Sequence, residues 1–165
     1  MTRVLIADDH AIVRKGLKRC IEAEHDVQVA GEAESGAEVL ALVRAQDFDV
    51  VVLDVSMPQG SGLDVLAQLK REHPQLPVLM LSMFAEEDLG VRAIRAGAAG
   101  YLCKSGAPAE LAAAIKRVAS GGRYVSAALA QCSPQCQHQV KNDADARDAR
   151  ARKRGTRLVA LDDRG

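Results

Sequence analysis

The chain has 165 residues, 48% hydrophobic and 27% charged, with 22 Lys and Arg against 22 Asp and Glu. That is enough for one full domain and a short appendage, and the composition excludes wholesale disorder. No apolar run approaches the ~20 residues of a membrane span, and the opening MTRVLIADDH lacks the regions of a signal peptide.

The neutral total hides an asymmetry: residues 1–130 carry 14 basic and 17 acidic side chains, residues 131–165 carry 8 and 5. Cysteines at positions 20, 103, 132 and 136 do not make a disulfide framework in so apolar a chain, so a reducing, cytoplasmic compartment is expected.

The first strand is expected at Arg3–Ala7. Val13, Leu17, Cys20 and Ile21 then fall at helical spacing, with Cys20 expected in the core. A second strand follows at Val27–Ala33, and Ser35-Gly36-Ala37-Glu38 reads as a capping box that opens a second helix. Asp49–Leu53 and Pro77–Leu81 are continuous apolar runs, the pattern of strands covered on both faces. Glu86, Glu87 and Asp88 favour a helix start before Leu89–Ala96, and Gly97 ends it. Gly100–Cys103 is the fifth strand, with Cys103 expected in the core. The last helix is expected to start at Pro108, carry Leu111, Ile115 and Val118 inward, and stop at Gly121.

Strand and helix thus alternate five times, which demands a parallel sheet with helices on both faces. At this length the expected fold is the flavodoxin-like doubly wound α/β sheet, (βα)5 with strand order 2-1-3-4-5. Residues 1–125 form that domain. Residues 126–165 are expected to be a linker and a basic, low-complexity, disordered tail with a stub of helix around Asp143–Lys153.

Sites in such sheets form outside the carboxyl ends of the strands. There the sequence sets Asp8 and Asp9 after the first strand, Asp54 after the third, Ser82 after the fourth and Lys104 after the fifth. Taken singly, an Asp pair is a turn or cap, and a strand-end Ser or Lys is ordinary surface. Together, at neighbouring strand ends, they describe one pocket.

Two unit charges ~4 Å apart repel by ~4 kcal/mol at an effective dielectric of about 20, so three carboxylates need a cation or a raised pKa. Oxygen donors of this kind suit Mg²⁺, Lys104 suits phosphate oxygens, and Ser82 offers a donor. Asp54, between the acid pair and Lys104, is the carboxylate placed to attack phosphorus.

The stretches VLIADDHAIVRKGL, VVLDVSMPQGSGLDVL, VLMLS and AIRAGAAGYLCKSGAPAELAAAI resemble the receiver domain of two-component response regulators, in the NarL/FixJ (LuxR-type) branch. The resemblance implies that Asp54 is the phosphoacceptor, and that Asp9, Asp54 and the Ser56 backbone carbonyl hold Mg²⁺ with Asp8 acting through water. It also implies that Lys104 pairs with the phosphoryl group, that Ser82 is the switch hydroxyl and that Tyr101 changes rotamer with it. Met57-Pro58 and Gly62 match the loop after the acceptor; Ser105 stands where many receivers carry proline. The implied partners are a sensor histidine kinase and a second copy of the chain on phosphorylation. The implied activity is phosphoacceptance with autocatalytic turnover, not enzymatic turnover of an outside substrate.

No helix-turn-helix pattern follows Ala130, so sequence-specific DNA binding is not expected of this chain, and a truncated, frameshifted or replaced effector domain is the expected history. The alternative is a LuxR-type transcription regulator whose basic run, from Arg147 to Arg157, touches DNA. Cys132, Cys136 and His138 resemble half a zinc site and lack a fourth ligand, and His10 is expected to be a helix-cap neighbour.

Overall fold

The structure, a computed structural model, describes residues 1–83, 87–105 and 107–125. Glu86, Cys132, Cys136, His138, the basic run and the tail expectations lie outside the described residues.

Five strands lie where the apolar runs place them, within one residue: β1 Thr2–Ala7, β2 Val27–Ala33, β3 Val50–Asp54, β6 Val78–Ser82 and β7 Gly100–Cys103. Between them run α1 Ala11–Glu22, α2 Gly36–Ala45, α3 Gly62–Glu72 and α4 Glu87–Arg95, and α5 Ala107–Ala119 follows. All five strands pair in parallel, in the order β2-β1-β3-β6-β7. This is the doubly wound order expected from the sequence. A sixth, two-residue strand, β8 Tyr124–Val125, extends the sheet beside β7. Gly100 makes that pairing fit, because a Cβ there would overlap the Tyr124 carbonyl.

Strand alternation sends successive side chains to opposite faces and so builds two core layers. Leu5, Val51, Leu53, Val78 and Met80 pack with Val39, Leu66 and Leu69 of α2 and α3. Val4, Ile6, Val52, Leu79 and Leu81 pack with Leu17 and Ile21 of α1 and with Leu111, Ile115 and Val118 of α5.

Cysteine placement corrects the sequence reading. Cys20 is only half-buried, because the inward stripe of α1 is Arg14, Leu17 and Ile21. Cys103 is also half-buried, its Sγ 3.1 Å from Ser105 Oγ.

The helix ends follow backbone rules. Ser35 accepts from the Glu38 N–H, while the Glu38 carboxylate reaches the N–H of Glu34, one residue earlier than a capping box requires. α4 and α5 stop at Gly97 and Gly121 with φ of 103° and 90°. The paired bonds Gly97 N to Ile94 O with Ala98 N to Ala93 O, and Gly121 N to Val118 O with Gly122 N to Arg117 O, close both ends as Schellman motifs. Pro108 is the second residue of α5 rather than the first.

Between β3 and α3 the chain makes a small antiparallel hairpin, β4 Ser56–Met57 and β5 Gly60–Ser61, turning through Pro58 and Gln59 at φ 64°. Gly62 follows with its N–H on the Val55 carbonyl at 2.8 Å. A Cβ at Gly62 would overlap the Asp54 carbonyl and lie 2.8 Å from Val55 Cα. Gly62→Ala is therefore expected to cost about 3 kcal/mol or more, read as a fall in urea midpoint at unchanged slope.

On the far end of the sheet, Arg44 of α2 holds Glu72 of α3 with contacts of 2.6 and 3.0 Å, and Gln68 adds a third at 3.1 Å. The Arg44 hydrogen bonds, then Gln68, draw the Glu72 carboxyl down to about 2. A depressed folded pKa means the link contributes above the ordinary carboxylate range and is lost as pH falls toward about 2. An Arg44→Ala, Glu72→Ala double-mutant cycle is expected to show coupling at about pH 6 that shrinks as pH falls toward about 2.

Candidate functional site

The parallel order puts the carboxyl ends of β1, β3, β6 and β7 side by side. Ala7 sits opposite Leu53, Asp54 opposite Leu81, and Ser82 opposite Cys103. Asp54 and Ser82 are thus the last residues of their strands, Asp8 and Lys104 the first beyond theirs, and Asp9 follows Asp8. The ladder bonds continue past the strands, from Val55 N to Leu81 O at 2.9 Å and from Lys104 N to Ser82 O at 2.7 Å.

Asp8 and Asp54 are buried at 0% and 1% exposure. Lys104 Nζ lies 2.7 Å from Asp8 Oδ2 and 3.0 Å from Asp54 Oδ2. Asp54 Oδ1 accepts the Ser56 N–H at 3.1 Å, and Asp8 Oδ1 accepts the His10 N–H at 2.8 Å. Asp9 stands at the mouth, partly exposed, with Oδ1 2.9 Å from His10 Nδ1. One ligand atom from each of Asp8, Asp9, His10 and Asp54 lies within 4.8 Å of the others.

Burial pushes the Asp54 carboxyl above its ordinary value, against the pull of Lys104 and the Ser56 N–H, and Asp8 adds repulsion. Burial also opposes the Lys104 charge, yet its bonds to Asp8 and Asp54 hold that ammonium above the usual lysine range. The two carboxylates thus favour the charged ammonium, while burial makes Asp54 more basic than an ordinary aspartate.

These residues fit a hard divalent cation. Three carboxylates face one ammonium, which leaves two negative charges for a divalent ion to neutralise. Asp8 Oδ2 and Asp54 Oδ2 are buried without an aligned hydrogen bond, although Lys104 lies within ion-pairing distance of both. Oxygen donors around a small pocket are the set Mg²⁺ prefers.

The structure thus brings Asp8, Asp9, Asp54 and Lys104 into one pocket, with Ser82, 5% exposed, on the next strand end. Tyr101, 1% exposed, is buried in the core layer under that edge, and Met57 packs in the same layer. His10 caps α1 with its backbone and holds its 68%-exposed imidazole against the acid pair, closer than a cap neighbour need be.

Arg14 is the residue that sequence reasoning missed. It is buried on α1, and it donates to the Asp8 carbonyl at 2.6 Å and to Glu34 at 2.7 Å. An arginine within an apolar stripe, facing two glutamates at a strand end, is the signal that could have found it.

Residues 4–116 match the family described as Response regulator receiver domain. Among curated proteins, the chain is 40% identical over 131 residues to "Response regulator UvrY" of Escherichia coli O6:H1, covering 79% of this chain and 60% of that one. It is 41% identical over 131 residues to "Response regulator GacA" of Pseudomonas viridiflava, covering 79% and 61%. The chain therefore spans about 60% of the length of these relatives. Among solved structures, the isolated receiver domain of RcsB from Salmonella enterica serovar Typhimurium, determined with the phosphomimetic BeF3-, superposes with a TM-score of 0.74 at 28% identity. That match covers 79% of this chain and 96% of the other.

Proposed function

The chain belongs to the response regulator receiver domain family, in the NarL/FixJ branch of its UvrY and GacA relatives, and from that membership we propose that it carries its signal as a phosphoryl group on Asp54. The observation that carries the proposal is the contact of Lys104 with both Asp8 and Asp54, at 2.7 and 3.0 Å, beneath a mouth formed by Asp9.

In the proposed reaction a sensor histidine kinase presents a phosphohistidine. An Asp54 carboxylate oxygen forms a bond to phosphorus, the nitrogen–phosphorus bond breaks, and the imidazole leaves with the electron pair and takes up a proton. Asp9, Asp54 and the Ser56 carbonyl would hold Mg²⁺, with Asp8 acting through water. The ion supplies neutralisation of the phosphoryl oxygens. Lys104 shields the same charge, and its contacts with Asp8 and Asp54 favour the protonated ammonium.

The acceptor's product carries about −1.5 to −2 charge where one carboxylate stood. Ser82 and Lys104 meet that charge by closing on it, and Tyr101 turns into the space that Ser82 vacates. Moving a switch from 1:99 to 99:1 needs about 5.5 kcal/mol, within reach of two or three charge-assisted bonds.

Hydrolysis of the acyl phosphate resets the site, so the chain is a phosphoacceptor rather than an enzyme with an outside substrate. The cytoplasm is the proposed compartment; among the described residues no helix is long and apolar enough to cross a membrane. Output passes through pairing with a second phosphorylated copy.

The test is incubation of the chain with a small acyl phosphate, with Mg²⁺ or with EDTA. Uptake of one phosphate with Mg²⁺ and none with EDTA is expected. Equal uptake in both, or none in either, overturns the proposal.

A further inference from the structure

We propose that Arg14 is a positioning residue for the divalent-cation pocket, acting through the peptide plane between Asp8 and Asp9. The inference rests on the phosphoacceptor reading of that pocket and adds a residue to it.

The geometry begins with an unmet need at the end of β1. The Asp8 N–H is bonded to the Ala33 carbonyl at 3.1 Å, but β1 ends at Ala7, and the Asp8 carbonyl lies beyond the ladder. A buried carbonyl without a partner is costly, and here the partner comes from six residues along the chain. The Arg14 guanidinium donates to that carbonyl at 2.6 Å. Its second arm donates to Glu34 at 2.7 Å, and Nε lies 3.7 Å from Glu32. Glu34 in turn gives its own N–H to Glu38 at the start of α2. One planar fork therefore ties the end of β1 to the end of β2 and to α1.

The fixed group matters because the Asp8 carbonyl and the Asp9 N–H share one rigid peptide plane. Holding that carbonyl fixes the plane that carries the Asp9 nitrogen and Cα, and so limits the directions in which the Asp9 side chain leaves the backbone. Asp8 is already constrained by Lys104 and by the His10 N–H. Asp9 is exposed, and its carboxylate meets the His10 imidazole, itself largely exposed. Its aim toward Asp54 thus depends on the backbone, and the backbone depends on Arg14.

Charge and position make opposite predictions. On Coulomb grounds alone, removing a guanidinium beside the pocket lets a dication bind more tightly. Loss of positioning makes it bind more weakly. Outer partners of metal-binding groups typically change affinity ~10- to 100-fold when removed.

The experiment is a Mg²⁺ titration without phosphodonor, followed by amide shifts of Asp9, Asp54 and Lys104. It is run on the full chain for the wild type, Arg14→Gln, Arg14→Lys and Glu34→Gln, each at a temperature well below its own melting point. Arg14→Gln is expected to weaken Mg²⁺ about tenfold. Arg14→Lys keeps the charge but cannot span both acceptors, and several-fold weakening is expected of it. Glu34→Gln leaves the Asp8 contact in place and is expected to bind within about twofold of the wild type. If Arg14→Gln does not fold, Arg14→Lys carries the test. Unchanged or tighter binding in the folded Arg14 variants overturns the role of Arg14. A wild type that takes up no Mg²⁺ overturns the reading of the pocket itself.

Discussion

Asp54→Asn is expected to give a folded protein that takes up no phosphate and melts higher than the wild type. The amide keeps an acceptor for the Ser56 N–H, which the carboxylate accepts at 3.1 Å. It removes a buried negative charge that lies beside Asp8 and that burial already disfavours. Loss of the attacking oxygen should lower phosphate uptake by roughly a thousandfold or more. Loss of the charge should raise stability in metal-free buffer, read as a higher melting temperature, because burial disfavours the ionised carboxylate.

The pH dependence has a definite sign. Because the folded pKa is raised, the folded chain holds the Asp54 proton more tightly than the unfolded chain does. The penalty is therefore absent below the unfolded pKa, near about 4, and grows as pH rises through the folded one. The gain from Asp54→Asn should be largest near neutrality and vanish near pH ~4. Thermal melts across that range check it, and a variant less stable than the wild type at neutral pH would contradict it.

Lys104→Met is expected to do the opposite. It leaves Asp8 and Asp54 buried and facing each other with no cation between them. Stripping one partner from a buried ion pair typically costs 3–5 kcal/mol, and about 3 kcal/mol is expected here in metal-free buffer. Two remedies should restore much of that loss. Lowering the pH protonates Asp54, whose folded pKa is already raised by burial and loses the downward pull of Lys104, so the variant gains stability relative to wild type as pH falls. Mg²⁺ at about a hundred times its dissociation constant adds about 2.7 kcal/mol to the folded state. A variant as stable as the wild type with EDTA at neutral pH would show that the ammonium is not what balances the pocket.

Much of this architecture is legible in the sequence because β1, β3 and β6 are short apolar runs that lead into polar residues at their carboxyl ends. Val50–Asp54 and Val78–Ser82 needed no partner information to be recognised. The pocket is legible for a related reason: a parallel sheet turns strand order into spatial order, so residues at strand ends converge however far apart they lie in the chain.

What stayed hidden depends on geometry finer than periodicity. β8 is two residues long and exists only because Gly100 admits the Tyr124 backbone. The β4–β5 hairpin turns on a non-glycine residue at positive φ, Gln59, which carries no strong signal. Cys20 fits the helical period, yet the actual stripe of α1 rotates to place Arg14 inward, because Glu32, Glu34 and the Asp8 carbonyl pair with it. A charged residue on an apolar face reads as an error until its partners are in view.

The most direct test of the account is chemical trapping of the phosphorylated chain. Borohydride reduces an acyl phosphate to an alcohol, so a phosphorylated aspartate becomes homoserine and its peptide changes mass. After phosphorylation with Mg²⁺, the mass change is expected at Asp54 alone, with Asp8 and Asp9 untouched. Conversion at Asp8 or Asp9, or phosphate on a residue that borohydride leaves unchanged, would contradict it.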